Sequence, residues 1–258
     1  MTAPRTVLAI AGLAVAFLAL PVVGLLQRTP WTGLGDLLTQ PTVADALILS
    51  VLISLVAAAV ILVLGTPLAG VLARVQVPGR RVLRALVVLP MVLPPVVGGT
   101  ALLFALGRRG LVGQWLDTWF GLTLPFTTAG AVVAATFVAL PFYVVAVEGA
   151  LRAGPDHLEQ MASTLGARPL TVLRRITLPR LLPAIGAGLA LAWARALGEF
   201  GATITFAGNL PGRTQTLPLA TFLALETDPE AALALSLLML AVSLAVLIPL
   251  RDRWLPSQ

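Results

Sequence analysis

Charge-free stretches recur along the chain, at residues 6–27, 46–73, 85–107, 118–147 and 231–250. Each holds the roughly 20 apolar residues that a helix needs to cross the hydrocarbon core of a bilayer. A sixth run, residues 181–206, is interrupted by Arg195 and Glu199 alone. The pattern predicts an all-α, polytopic membrane protein with six transmembrane helices, forming a single transmembrane domain over residues 1–258. Arg5 precedes the first run as a basic residue precedes a secretory signal, but the run exceeds the roughly 7–15 residues of a signal core, and Leu20-Pro21-Val22 offers no small-residue cleavage site. It therefore reads as a retained span.

Between the fourth and fifth spans, the segment 148–180 has a helical pattern of its own. Gly154-Pro155 breaks the chain, and Asp156 with Glu159 three residues on resembles a capping box with Asp in place of Ser or Thr. Leu158, Met161, Ala162 and Leu165 then fall on one face of a short helix. Gly166 suits the left-handed position that ends such a helix, and Pro169 suits the opening of a second one through Leu173 and Ile176. Pro179 and Pro183 mark re-entry into the membrane. The hairpin is either an amphipathic element lying on lipid headgroups or a docking element presented to a cytoplasmic partner by the helix-in-groove mode.

Composition agrees with the spans: 58% of residues are hydrophobic and 11% charged, with mean hydropathy +0.98, against about 25% charged in soluble domains. The distribution of the basic residues then sets orientation. All 17 are Arg, and twelve lie on one side: Arg5; Arg74, Arg80, Arg81 and Arg84; Arg152, Arg168, Arg174, Arg175 and Arg180; Arg251 and Arg253. The opposite loops carry Arg28, Arg108, Arg109 and Arg213 among acidic residues. Positive-inside sorting places both termini in the cytoplasm. It also accounts for the net charge of +6 without nucleic-acid binding.

Absent residue types narrow the chemistry. With no Lys there is no G-x-x-x-x-G-K-[ST] phosphate loop and no Schiff base, and with no Cys there is neither disulfide nor thiolate metal site. His157 is the single His, in a loop, with no G-x-S-x-G elbow to serve a hydrolase. The sequence argues against an enzyme and assigns no catalytic or metal-binding residue.

What remains is chemistry inside the membrane. Each of Arg195 and Glu199 costs roughly 2.5–3.5 kcal/mol at a helix centre, so they are expected to face a bundle interior or a water-filled path. Spaced i, i+4, they pair on one helix face, either as a structural ion pair or with Arg195 presenting charge to a passing anion. Pro90, Pro94 and Pro95 remove backbone donors within one span and predict a kink that serves packing or acts as a gate hinge. Gly198 and Gly201 allow close helix approach, and Phe200 and Phe206 read as core more readily than as gate.

Gln160-Met161-Ala162, three residues, Gly166, nine residues, then Ile176-Thr177-Leu178-Pro179 resembles the EAA loop of ABC importer permeases. It departs at the first two positions, where Gln160 and Met161 replace Glu and Ala, with Glu159 one residue earlier. Residues 89–99, reading LPMVLPPVVGG, with Gly107-Arg108-Arg109-Gly110, are similar to the third-span region of molybdate permease subunits. Gly198-Glu199-Phe200-Gly201-Ala202-Thr203 and residues 207–218 resemble their fifth-span signature, part of which sulfate, thiosulfate and tungstate permeases share.

The resemblance implies a type I ABC importer permease in a bacterial or archaeal cytoplasmic (inner) membrane. Such a permease pairs with a second copy of itself and docks two cytoplasmic ABC ATPase subunits, which bind the ATP and Mg. It receives its anion from a periplasmic or lipid-anchored oxyanion-binding protein. Glu159, Gln160, Met161, Ala162, Gly166, Ala167 and Arg168 then carry coupling to the ATPase, and Arg195, Glu199, Gly198, Gly201, Pro94 and Pro95 are candidate pore or gate residues. A proton- or sodium-coupled carrier would also hide an ion pair in the membrane but has no need of the docking hairpin.

Overall fold

The computed structural model describes residues 4–154 and 157–254, and among them there are helices and no strands. In chain order the helices are α1 (Arg5–Arg28), α2 (Leu34–Leu38), α3 (Pro41–Arg74), α4 (Arg80–Val92), α5 (Pro95–Leu106), α6 (Gly113–Phe120) and α7 (Thr128–Ala153). They continue as α8 (His157–Thr164), α9 (Pro169–Val172), a π-helical turn (Leu173–Thr177), α10 (Leu178–Leu197), α11 (Gly201–Phe206), α12 (Leu217–Thr227) and α13 (Pro229–Trp254). Among the described residues, four helical stretches are long and apolar enough by themselves to cross a membrane: α1, α3, α7 and the continuous run Pro169–Leu197.

The centre is a three-helix packing of α3, α7 and α10. Small side chains make it close: Ala57 and Ala69 of α3 meet Ala131, Ala135 and Ala139 of α7 and Ala192 and Ala196 of α10. Without water to separate from, membrane helices gain from such contact mainly by van der Waals packing. Tyr143 is fully buried at the centre and its hydroxyl lies 2.6 Å from Thr66 Oγ1, which satisfies both groups away from water. A Cβ on Gly65 would stand 2.6 Å from the Tyr143 ring, so the ring fits because that position has no side chain. In contrast, α1 buries no residue within this chain and packs along α13.

Three expected spans differ from their sequence outlines. The third is broken between α4 and α5, where Leu93 and Pro94 are extended, as the adjacent prolines predict. Pro95 opens α5, where its missing N–H is no loss, while Pro90 stays inside α4. The fourth begins about ten residues later than the apolar run: the first part is α6 and a loop, and Thr127 caps α7 by accepting the Gly130 N–H at 3.0 Å. The fifth is not one helix, because α10 stops at Leu197 and α11 restarts at Gly201.

The hairpin is also corrected. Pro169 opens a helix as expected, but that helix does not end after Ile176; it runs through the π turn into α10. Pro179 has no N–H for the carbonyl one turn earlier, and the ladder widens there, Leu178 N–H bonding Leu173 O. Pro179 and Pro183 therefore lie inside the helix and do not mark its start. The expected break at Pro155 and the Asp156 cap lie outside the described residues.

Candidate anion path and coupling surface

At the C-terminal end of α10, the helix ends before Glu199 is reached, so Arg195 and Glu199 are not on one helix face as the spacing predicts. They pair nevertheless: Arg195 Nη1 is 2.7 Å from Glu199 Oε2. The Glu199 side chain is 1% exposed and its other oxygen, Oε1, accepts the Ala202 N–H at 2.8 Å, tying the carboxylate to the first turn of α11. Oε2 has a counter-charge close by but no aligned hydrogen-bond donor among the described residues. The Arg195 side chain is 28% exposed and opens onto a cavity of about 270 Å³ lined by Pro95, Val96, Gly198, Phe200 and Gly201 as well as the pair itself.

This cavity sits where α5 and α11 cross almost in contact. A Cβ on Gly201 would come within 2.8 Å of Pro95 Cβ, and one on Gly99 within 1.7 Å of Thr205 Oγ1 and 2.7 Å of Ala202 O. Gly201 thus has the close-packing role expected of it. Gly198 does not, since the nearest atom a Cβ would meet is Ala194 O at 3.7 Å. Pro94 caps α5 at the break, and Pro95 contributes a wall of the cavity. Phe206 is fully buried with Leu102, Ala134 and Val138, while Phe200 meets Phe222 of α12 in a tilted ring contact with centroids 5.1 Å apart.

At the other end of α10 the polar groups are many and shared. Glu159 of α8 accepts from Arg74 of α3 on both oxygens, Nη2 to Oε1 at 2.7 Å, and Oε1 also accepts from Thr177 Oγ1 at 2.7 Å. One carboxylate so joins α8 to the end of α3 and to the π turn that leads into α10. Partial burial alone would raise its pKa, but the Arg74 and Thr177 hydrogen bonds and the charges of Arg74 and Arg180 outweigh this and hold Glu159 below the usual carboxylate range. Close by, Glu148 pairs with Arg84 and, at 2.9 Å, with Arg152, while Arg80 and Arg152 donate to the last carbonyls of α3 at Leu72. Cations at a helix C-terminus complement its dipole and its unpaired carbonyls.

The end of α8 is a Schellman cap: Ala167 N–H bonds Ala162 O and Gly166 N–H bonds Ser163 O, each at 3.0 Å, with Gly166 at φ 85°. Arg168 then caps α9, its carbonyl accepting from Thr171 and Val172. Gln160 is exposed and lines, with Arg74, Arg152, Ser163 and Thr164, an open cavity of about 720 Å³. Met161 is 58% exposed and Leu165 86%, so the apolar face read from the sequence is uncovered by this chain. Sequence reasoning missed Arg74, Glu148, Gly99 and Thr205. Adjacent Gly98-Gly99 inside a span was a signal for close approach; the Arg partners had none, because they depend on which helix ends meet.

Residues 65–254 match the family described as the binding-protein-dependent transport system inner membrane component. The chain is 49% identical over 240 residues to the molybdenum transport system permease protein ModB of Mycobacterium tuberculosis, covering 93% of this chain and 90% of that one. It is 43% identical over 219 residues to ModB of Escherichia coli K12, covering 85% of this chain and 95% of the relative. In fold it resembles a chain of the crystal structure of a bacterial alginate ABC transporter in complex with an alginate pentasaccharide-bound periplasmic protein, at TM-score 0.71 and 19% identity, covering 95% of this chain and 91% of that one. The helix order, the family match over most of the chain and the identity to these permeases agree, and the chain belongs to the family of binding-protein-dependent transport system inner membrane components.

Proposed function

We propose that this chain is the membrane-spanning permease subunit of an ATP-driven importer that moves molybdate across the cytoplasmic membrane by alternating access. The observation that carries the reading is α8: its apolar face is uncovered, and Glu159 ties it at once to α3 and α10, two of the three helices of the central packing. A surface so fastened delivers a push from a docked partner to the spans as a rigid-body movement. Two permease copies form the pathway as a homodimer. Two cytoplasmic ABC ATPase subunits dock on Gln160, Met161, Ala162, Gly166, Ala167 and Arg168 of each copy and hold the ATP and Mg²⁺, for which this chain has no phosphate loop. A periplasmic or lipid-anchored binding protein delivers the oxyanion.

Both termini are cytoplasmic in this reading, and six crossings result when α4 with α5 and α10 with α11 each count as one. The clustering of Arg74, Arg80, Arg84 and Arg152 at one end of the bundle supports that orientation. Molybdate is preferred over sulfate, thiosulfate or tungstate because both relatives named above are molybdenum permeases. The test is ATP hydrolysis by the complex reconstituted with its ATPase and binding protein. Molybdate is expected to stimulate it; stimulation by sulfate and not by molybdate would overturn the cargo. In a chain free of Cys, Arg168→Cys is expected to react with an impermeant thiol reagent from the cytoplasmic side and Asp117→Cys from outside.

A further inference from the structure

We infer that the cavity beside Arg195 is a transient subsite for the transported tetrahedral dianion, and that Glu199 is its built-in competitor, a fixed carboxylate that keeps the subsite from holding the anion. The inference rests on the importer reading above.

Glu199 cannot swing away, because the Ala202 N–H holds Oε1 at 2.8 Å and the side chain is 1% exposed. Its hold on Arg195 is close in distance, 2.7 Å, yet no guanidinium N–H is aligned on Oε2. A guanidinium has five N–H donors in a planar fork, and Glu199 Oε2 takes none of those of Arg195 in an aligned hydrogen bond. They sit beside a cavity of about 270 Å³ whose other lining groups are Pro95, Val96, Gly198, Phe200 and Gly201. One water takes about 30 Å³ in the liquid, so the space admits an oxyanion with part of its hydration shell. Arg195 and Glu199 are the charged groups of this lining, and their charges offset.

The consequence is a weak site. An oxyanion can align on guanidinium donors that Glu199 does not use, but the nearby carboxylate repels it, so binding is favourable enough to enter and too poor to stay. Position agrees: Arg195 lies about 26 Å along α10 from Leu178, at about 1.5 Å per residue, far from the cytoplasmic end where the ATPase docks. The approach of α5 to α11 closes the cavity on one side, so any sliding of these two helices alters the room around the guanidinium.

Glu199→Gln separates the two roles, since its amide oxygen can still accept the Ala202 N–H while the competing charge is gone. The complex is reconstituted in liposomes with its ATPase and binding protein, and uptake of radiolabelled molybdate is measured; retention is measured on the permease–ATPase complex alone. Glu199→Gln is expected to retain molybdate at a concentration about tenfold lower, the worth of one hydrogen bond to a charged group, and to take it up about tenfold more slowly at saturation. The double variant Arg195→Gln/Glu199→Gln is expected to lose both retention and uptake. Unchanged retention by Glu199→Gln overturns the inference, as does normal uptake per assembled complex by the double variant. If Glu199→Gln does not assemble, the double variant decides alone by the same criterion. Sulfate in place of molybdate as the anion that drives the unaltered complex would overturn the cargo and not the subsite, and the same variants are then read with sulfate, which has the same charge and shape.

Discussion

The two ends of α10 hold their carboxylates in different ways. At the N-terminal end, Glu159 has Arg74 on both oxygens and Thr177 besides, and next to it Glu148 is shared by Arg84 and Arg152. Arg80 and Arg152 both reach the Leu72 carbonyl. Several partners can be lost from such a cluster before a charge is stranded. At the C-terminal end, Glu199 has one cation and one backbone N–H, and its side chain is buried. On the proposed function, redundant pairing suits a surface that passes on a push without yielding. On the proposed subsite, a singly balanced pair suits a place where an anion is admitted and released.

The largest test of this contrast is to strand the charge at the C-terminal end. Arg195→Ala leaves a buried carboxylate without its counter-ion and is expected to lower stability by about 3–5 kcal/mol. Arg195→Ala/Glu199→Ala is expected to recover much of that loss, because no buried charge remains. Thermal unfolding of the purified permease in detergent reads both. Equal losses in Arg195→Ala and the double variant would show that the stranded carboxylate is not what destabilises the single variant.

A second, smaller effect separates two glycines near the same cavity. Gly99→Ala places a methyl where Thr205 Oγ1 and the Ala202 backbone already are, and overpacking of this kind costs about 1–3 kcal/mol. Gly198→Ala meets nothing nearer than 3.7 Å and is expected to change stability little. Uptake per assembled complex should fall for Gly99→Ala and hold for Gly198→Ala. The reverse order would place the tight crossing elsewhere.

These two glycines also mark what the sequence makes legible. The spans, the break at the paired prolines and the left-handed Gly166 all follow from local rules: apolar length, missing N–H groups, a helix that needs an end. The Arg195–Glu199 pair is visible because charge inside an apolar run is rare. Which glycine is crowded depends on a neighbour from another span, and Gly99 differs from Gly198 only through α11 meeting α5. Likewise the i, i+4 spacing gives the right pair for the wrong reason, since α10 ends between the two residues and the loop brings Glu199 back. Arg74 finds Glu159 across 85 residues of chain, a contact no local pattern encodes.

At the coupling end, Gly166→Val tests geometry without touching charge. A β-branched side chain at φ 85° is strained by about 1–3 kcal/mol, and the Schellman bonds that aim α8 relative to α9 are the first to give. A Cβ added at Gly166 would meet nothing within 4 Å, so strain and not collision is the cause. Uptake and anion-stimulated ATP hydrolysis are expected to fall together while the permease remains inserted and assembled with its partners. Unchanged coupling in this variant would favour a hairpin that lies on lipid headgroups.

The smallest effect is expected at Glu159, where redundancy is greatest. Glu159→Gln removes a pair whose Arg74 side chain is 37% exposed, so solvent screens it, and the loss of stability is expected to stay within about 1 kcal/mol. The Gln amide can still accept from Thr177, and Arg80 and Arg152 still cap α3. The pH dependence has a definite sign. Because the folded-state pKa of Glu159 lies below the ordinary carboxylate value of about 4.3, its contribution is complete above that value and is lost as the pH falls through the lowered one. Coupled ATP hydrolysis on the cytoplasmic side should therefore show no Glu159-dependent change from pH 7 to about pH 5, and wild type and Glu159→Gln should converge in stability under stronger acid. A Glu159-dependent change in coupling near pH 6 would mean that the carboxylate is not held by Arg74 and Thr177 in the working complex, and that the two ends of α10 are less different than their partners make them.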